Sequence, residues 1–401
     1  MAMPHVLILA ISAFPARLAY GMIGLGIFFK VQQSSGSVAL AGLAMGCSGI
    51  AGSVTAGIRG SVIDRWGQKW PIRILVPSYS SAILLFNTMH SKESLIITAL
   101  ILGATAPPIN LSVRPLWKDI VPEDYLRTAY ALDSSMMSVT SVIGPVLITA
   151  LSLSSHPALG LATTSALMLI GGTALAFTKV SRDWIPEKKA KGQQRLWRDR
   201  AIQLLMFEGC FIGFGWGVFD VAVPAFATQE GVASRVAWIF AVFGIFNVIG
   251  GLLGGLVSKK LPPLSALLRA YAAWVLVCAP IVFTYPNWSM AFVGAFIGFV
   301  GGAVQVFYFE VLEAVRPQGS QTSSLGWIWS VEGSFMAAGA AVGGYVCEHY
   351  SPRIGLGLTP AMLLIGLMIF TIGKGRLSAA NDVPTDEEDL RAIKDISDDS
   401  K

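Results

Sequence analysis

Charge is scarce in this chain of 401 residues: Asp, Glu, Lys and Arg make up 13% of it, against about 25% in an average soluble domain. Hydrophobic residues supply 54% and the mean hydropathy is +0.62, so the chain is mostly membrane. Cysteine is rare too. Cys47, Cys210, Cys278 and Cys347 lie singly within or at the end of apolar runs, without the close spacing of a metal site or a disulfide framework. The histidines, His5, His90, His156 and His349, fall at the ends of such runs or between them, and Gly-x-x-x-x-Gly-Lys does not occur. Enzyme constellations are therefore absent, no cofactor or metal is implied, and an ATP-driven pump is excluded on this chain alone. The net charge of +5 comes from Lys and Arg in short loops with no basic face, so nucleic acid is not implied. The N-terminus lacks the basic start of a signal peptide and its apolar run continues to Phe29, which reads as an uncleaved first span.

Long apolar runs are what the chain has instead. About 20 apolar residues carry a helix across a bilayer, and twelve runs qualify: 5–29, 38–58, 70–89, 95–113, 128–151, 158–178, 201–227, 233–257, 263–285, 288–312, 325–347 and 354–373. They divide six and six about a basic stretch that holds Lys188, Lys189, Lys191, Arg195, Arg198 and Arg200. The expected organisation is an N-terminal bundle over 1–178, a basic linker over 179–200, a C-terminal bundle over 201–375 and a tail over 376–401. That tail carries Asp386, Glu387, Glu388, Asp389, Asp395, Asp398 and Asp399 with few large apolar residues, so it is expected to be disordered. Arg65, Lys69, Lys118, Arg127, Lys259, Lys260 and Arg316 share the linker's side, against Lys30, Lys92, Arg235 and Arg353 opposite. Basic residues stay inside, so both termini are expected in the cytoplasm and the chain in the plasma (cytoplasmic) membrane.

The second and third spans are joined by Gly60-Ser61-Val62-Ile63-Asp64-Arg65-Trp66-Gly67-Gln68-Lys69, a charged turn so tight that the spans must be antiparallel neighbours. Gly-x-x-x-Asp-Arg-x-Gly-Gln-Lys at this place resembles the signature loop of the major facilitator superfamily of secondary transporters. A degraded copy, Gly254-Gly255-Leu256-Val257-Ser258-Lys259-Lys260, follows the eighth span, with Ser258 where Asp64 stands, and Gly144 and Gly339 fall at similar offsets in the fifth and eleventh spans. Together with the six-plus-six layout, the resemblance implies an all-α integral membrane protein with 12 transmembrane helices in two pseudo-symmetric six-helix bundles. It covers about residues 5–375. In that family the loop braces the outward-facing form, which gives Gly60, Asp64, Arg65 and Gly67 a latch role; the alternative is a tight turn with a positive-inside anchor. Asp64 near a helix N-terminus gains about 0.3–1 kcal/mol from the dipole. In the fifth span, Ser141-Val142-Ile143-Gly144-Pro145 is similar to the core of the motif that marks drug/proton antiporters, although Ile148 and Thr149 stand where a glycine pair is expected. The competing reading of Gly144 and Pro145 is a bend where a neighbouring helix approaches.

A charged side chain at a helix centre costs about 2.5–3.5 kcal/mol on insertion scales, so each one is a functional candidate. Arg17 lies in the first span, Glu208 and Asp220 in the seventh, and Glu332 in the eleventh. The resemblance places the first, fourth, seventh and tenth helices around a cavity. A proton-coupled carrier needs an acid whose proton affinity changes as that cavity opens and shuts, and Glu208 with Arg17 nearby would supply it, with Asp220 and Glu332 as further candidates. A static ion pair and direct binding of an anionic substrate by Arg17 are the alternatives. Tyr20, Asn110, Trp216, Gln305 and Tyr308 suit a semi-apolar organic substrate, though each alone is more often packing. Arg114 and Glu310, at equivalent ends of the fourth and tenth spans, can meet as a gate or snorkel separately.

The reading is a monomeric secondary transporter that moves a small organic molecule by alternating access, as a proton-coupled exporter (an antiporter). Its alternatives are proton-coupled uptake of a polar or anionic metabolite and, from another class, a transport-dead membrane sensor or scaffold. The latch reading has a direct consequence. Asp64→Asn should express normally yet turn over more slowly in a vesicle transport assay, and unchanged turnover would reduce the loop to a topological anchor.

Overall fold

The computed structural model describes residues 4–184, 198–257, 262–317 and 321–381. Among these the chain is helical throughout, and twelve spans form two bundles. The first bundle contains α1 (Pro4–Ser35), α2 (Val38–Trp66), α3 (Lys69–Thr88), α4 (Lys92–Thr105) with α5 (Ile109–Ile120), α6 (Glu123–Ser152) and α7 (Ala158–Phe177). A short α8 (Lys179–Asp183) follows. The second contains α9 (Arg200–Gln229), α10 (Arg235–Val257), α11 (Pro263–Cys278) with a 3-10 turn (Ala279–Phe283), α12 (Trp288–Val315), α13 (Gln321–His349) and α14 (Pro352–Gly373). Eight of the spans are long and apolar enough to cross a membrane by length and composition alone. The others, α3, α4 with α5, α6 and α13, carry the prolines and polar residues that matter below.

Local chemistry sets the boundaries. Ser37, Ser91, Asp199, Asn287 and Ser351 each turn a side-chain oxygen to an amide of the first turn of α2, α4, α9, α12 and α14. These caps satisfy amides that a helix start leaves without partners. Between α2 and α3 the chain turns at Gly67, whose φ of 75° is in the left-handed region that suits glycine, and its N–H bonds to the Ile63 carbonyl. Pro107 and Pro108 lack N–H groups and split the fourth span into α4 and α5.

The two bundles repeat each other's packing. α1 packs on α6 and α7, α2 on α4, and α3 on α7; in the second bundle α9 packs on α13 and α14, α10 on α12, and α11 on α14. Close approach uses the same device in both. Gly144 of α6 lies against the backbone of Gly21, and Gly339 of α13 lies against the backbone of Phe214. Between the bundles, the described residues pack along two seams, α2 with α13 and α6 with α10, which a twofold axis along the membrane normal would exchange. The first runs from Val38 beside Gly344 to Ser53 beside Gly333; the second brings Val142 against Gly244. The first starts at the end opposite the linker, here termed the far end.

One boundary differs from expectation. The segment Lys374–Asn381 continues from α14 as a 3-10 helix with Leu377 and Ala380 fully buried against the second bundle, so the first residues of the expected tail are part of the fold. A side chain at Gly339 must collide with the Phe214 backbone, whereas nothing lies within 4 Å of a Cβ at Gly294. Gly339→Val should therefore lower the melting temperature of the purified protein, at a cost of at least about 1–3 kcal/mol. Gly294→Ala should hold it or raise it slightly.

Candidate functional site

The first bundle holds its polar groups around the break between α4 and α5. The break at residues 106–108 turns backbone carbonyls away from the helix ladder, where membrane cannot satisfy them. Arg59 of α2 donates to the Ala106 carbonyl, and its Nη2 also reaches the Gly52 carbonyl at 2.6 Å. Tyr20 of α1 donates its hydroxyl to the Pro107 carbonyl, and its ring lies 6.1 Å from that of Tyr79. Deeper in the bundle, Arg17 is 2% exposed. Its Nη1 lies 2.8 Å from Asp133 Oδ1, and the same oxygen accepts from Trp117 Nε1 at 2.9 Å. Arg17 Nε and Nη2 are buried without a hydrogen-bond partner among the described residues.

The second bundle holds an acidic and aromatic cluster. Glu208 of α9 is 1% exposed, its Oε1 accepts from the Tyr271 hydroxyl at 2.6 Å, and its Oε2 has no partner among the described residues. Tyr271 packs edge-on against Phe370 and Trp274, and Trp274 donates to the Ile297 carbonyl at 2.9 Å. Gly366 leaves room for this pair: a Cβ there would come within 3.5 Å of Glu208 Oε1. Glu332 of α13 lies over Gly209, next in sequence to Glu208, and Glu208, Glu332, Tyr271 and Tyr308 interact electrostatically as one group. Trp216 joins the aromatic layer beside them, 5.5 Å from Trp274 and 5.2 Å from Phe219. Asp220, half-buried, follows Glu208 by twelve residues on α9. At 1.5 Å per residue it is about 18 Å away and outside the cluster.

The structure therefore separates groups that the sequence reading paired. Arg17 bonds to Asp133 inside its own bundle and Glu208 bonds to Tyr271 inside the other, so the expected Arg17–Glu208 pair is not formed here. The reason is local: each buried group has a nearer partner on a helix of its own bundle. Asn110 of α5 and Gln305 of α12 are exposed, and Tyr308 is half-buried. Arg65 is exposed at the end of α2. The side chains of Asp64 and Arg114, like the environment of Gly60, lie outside the described ones, so neither the Asp64 cap nor an Arg114–Glu310 contact is placed. Gly144 makes the close helix contact described above.

Several residues escaped the sequence reading. Asp133 is an acid inside an apolar run and satisfies the criterion that singled out Glu208. Arg59 stands one residue beyond the expected second span. Gln68 has no charge to draw notice, yet it is 1% exposed; its Nε2 bonds to the Ser112 carbonyl at 2.9 Å and its Oε1 accepts from Ser181 at 3.2 Å. It ties the signature loop to α5 and α8. Among the described residues, no group of His, Cys, Asp and Glu could hold a metal ion.

Known proteins share this architecture. The sequence model of the Major Facilitator Superfamily matches residues 9–334. The uncharacterised MFS-type transporter y4rN of Sinorhizobium fredii is 23% identical over 362 residues, covering 85% of this chain and 87% of that protein. YtbD of Bacillus subtilis, also an uncharacterised MFS-type transporter, is 24% identical and covers 94% of this chain and 97% of its own length. The crystal structure of the nucleoside transporter NupG superposes with a TM-score of 0.73 over 93% of this chain and 99% of that one, at 14% identity, which is a likeness of fold.

The Arg17–Asp133 pair yields a test. Asp133→Asn leaves a guanidinium buried without its counter-charge, at a cost of about 3–5 kcal/mol. Folded yield and melting temperature should fall sharply. Arg17→Met combined with Asp133→Leu should recover much of both, because removing both charges removes the desolvation cost.

Proposed function

The chain belongs to the major facilitator superfamily and is a transporter of that family, and on that footing we propose that it is a proton-coupled exporter of a small organic molecule with Glu208 as the proton carrier. The supporting observation is the state of this carboxyl: 99% of it is out of solvent, one oxygen is held by Tyr271, and the other has no partner among the described residues. A group so placed responds strongly to water reaching it or leaving it. Rocking of the bundles then couples protonation to the conformational state. Glu332, beside it on α13, is the next acid in line for a relay, and the half-buried rings of Trp216 and Tyr308 offer a semi-apolar surface to an organic substrate.

Sidedness is read from the basic residues, which favour the linker end in the cytoplasm, and the carrier is taken as a monomer of the cytoplasmic membrane. The α2–α13 seam closes the far end, and we read the form described here as the one that faces the cytoplasm. The described contacts of the signature loop, through Gln68, stay within its own bundle. That agrees with a latch of Asp64, Arg65 and Gly67 that engages only in the opposite form. The Arg114–Glu310 gate belongs to the same proposal.

Uptake of an anionic metabolite on Arg17 is the second reading. It is weakened by Asp133, which already neutralises the guanidinium at 2.8 Å. Export rests on the likeness around Gly144 and Pro145. A scaffold would have no use for a buried carboxyl with one oxygen unpartnered among the described residues, since a neutral residue there would cost less.

Glu208→Gln should abolish substrate movement driven by a pH gradient in proteoliposomes and leave substrate-for-substrate exchange largely intact, because exchange moves no net proton. A variant that still concentrates substrate at the parent rate would make Glu208 structural.

A further inference from the structure

At the far end, one acid of the second bundle reaches across to the first. Glu348, in the last turn of α13, accepts through Oε2 from the Ser37 hydroxyl at 2.7 Å and from the Ala39 amide at 2.6 Å. Ser37 is the cap of α2, and its oxygen also accepts from the Leu40 amide at 3.0 Å. Glu348 thus completes the N-terminus of a helix that belongs to the other bundle, where the free amides and the dipole favour an anion. Below it the seam is built for close approach, with Gly42 and Gly344 in backbone contact and Gly46 against Ala341. Burial disfavours the charged form of Glu348, yet the Ala39 amide, the Ser37 hydroxyl, neighbouring His349 and the Val38 amide together hold its carboxyl below the ordinary range. It is therefore an anion at neutral pH.

We propose that Glu348 is the outer latch of the transport cycle: it holds the far end shut by capping α2 across the bundle interface, and it must release each time that end opens. The first turn of α2 keeps its Ser37 cap in both states, but the Ala39 amide has the carboxylate only in the closed one. The bond is made in one state and broken in the other, so it shifts the equilibrium between them. It needs only that the bundles part at this end, and it is independent of the proton carrier and the substrate.

The test is the opening of the seam itself. Ala340 is 4% exposed within the α2–α13 seam. In a background with Cys47, Cys210, Cys278 and Cys347 replaced by Ala, Ala340→Cys provides a thiol that reacts with a maleimide only when the seam parts. Its rate in nanodiscs reports the open population when closing is fast. Loss of one helix cap corresponds to about a fivefold change in population. Glu348→Gln and Ser37→Ala should each raise the labelling rate about fivefold. The double variant should exceed the larger single effect little, because both weaken one contact, the first by removing the charge of its acceptor and the second by removing one of its donors. Glu93→Gln, an exposed acid at the same end, should leave the rate unchanged. Parent rates in Glu348→Gln, or single effects that multiply in the double variant, would overturn the latch.

Discussion

Inside a bilayer only the protein can satisfy a polar group, and the arrangement of these helices follows from that constraint. The principal buried polar groups described here meet side chains from neighbouring spans. Arg59 and Tyr20 take up the carbonyls of Ala106 and Pro107 at the break in the fourth span. Asp133 and Trp117 converge with Arg17, and Tyr271 reaches Glu208. These contacts stay within one bundle, so they do not tie one half to the other.

The surface between the halves is built differently. Small residues line it, with Gly42, Gly46 and Gly344 on the first seam and Gly244 on the second. Backbone contact of this kind gains van der Waals energy without interlocking side chains, so two such faces can part with few rearrangements. What polar bonding crosses the interface at the far end, from Glu348 to the start of α2, lies where water can replace it. Strong bonds inside the bundles and replaceable ones between them are what a rocking carrier requires.

Much of the fold was legible in the sequence, because hydropathy over about 20 residues is a direct measure of a span. The duplicated glycines Gly144 and Gly339 pointed correctly to equivalent packing in the two halves. The site was less legible. Glu208 and Arg17 stood out as charges in apolar runs, but their partners did not, since pairing depends on which faces of α1, α5, α6, α9 and α11 meet. Asp133 carried the same signal as Glu208 and lay a few residues inside its span. Tyr271 and Gln68 carried none: an uncharged residue in an apolar helix or a turn gives no hint that it is a fixed hydrogen-bond partner. The end of α14 falls where hydropathy puts it, but the start of the tail does not, because Leu377 and Ala380 are two apolar residues in a polar stretch and only their socket shows that they are buried.

The two halves match in outline but not in stiffness. The fourth span is two rods, α4 and α5, joined at residues 106–108 by carbonyls that lean on Arg59 and Tyr20, whereas its counterpart, α12, runs unbroken from Trp288 to Val315. A helix bends most cheaply where its own hydrogen bonds are interrupted, so the fourth span has a joint that α12 lacks. The carbonyls at that joint are held by side chains of α1 and α2, so the angle between α4 and α5 is set by their neighbours and not by the span's own ladder.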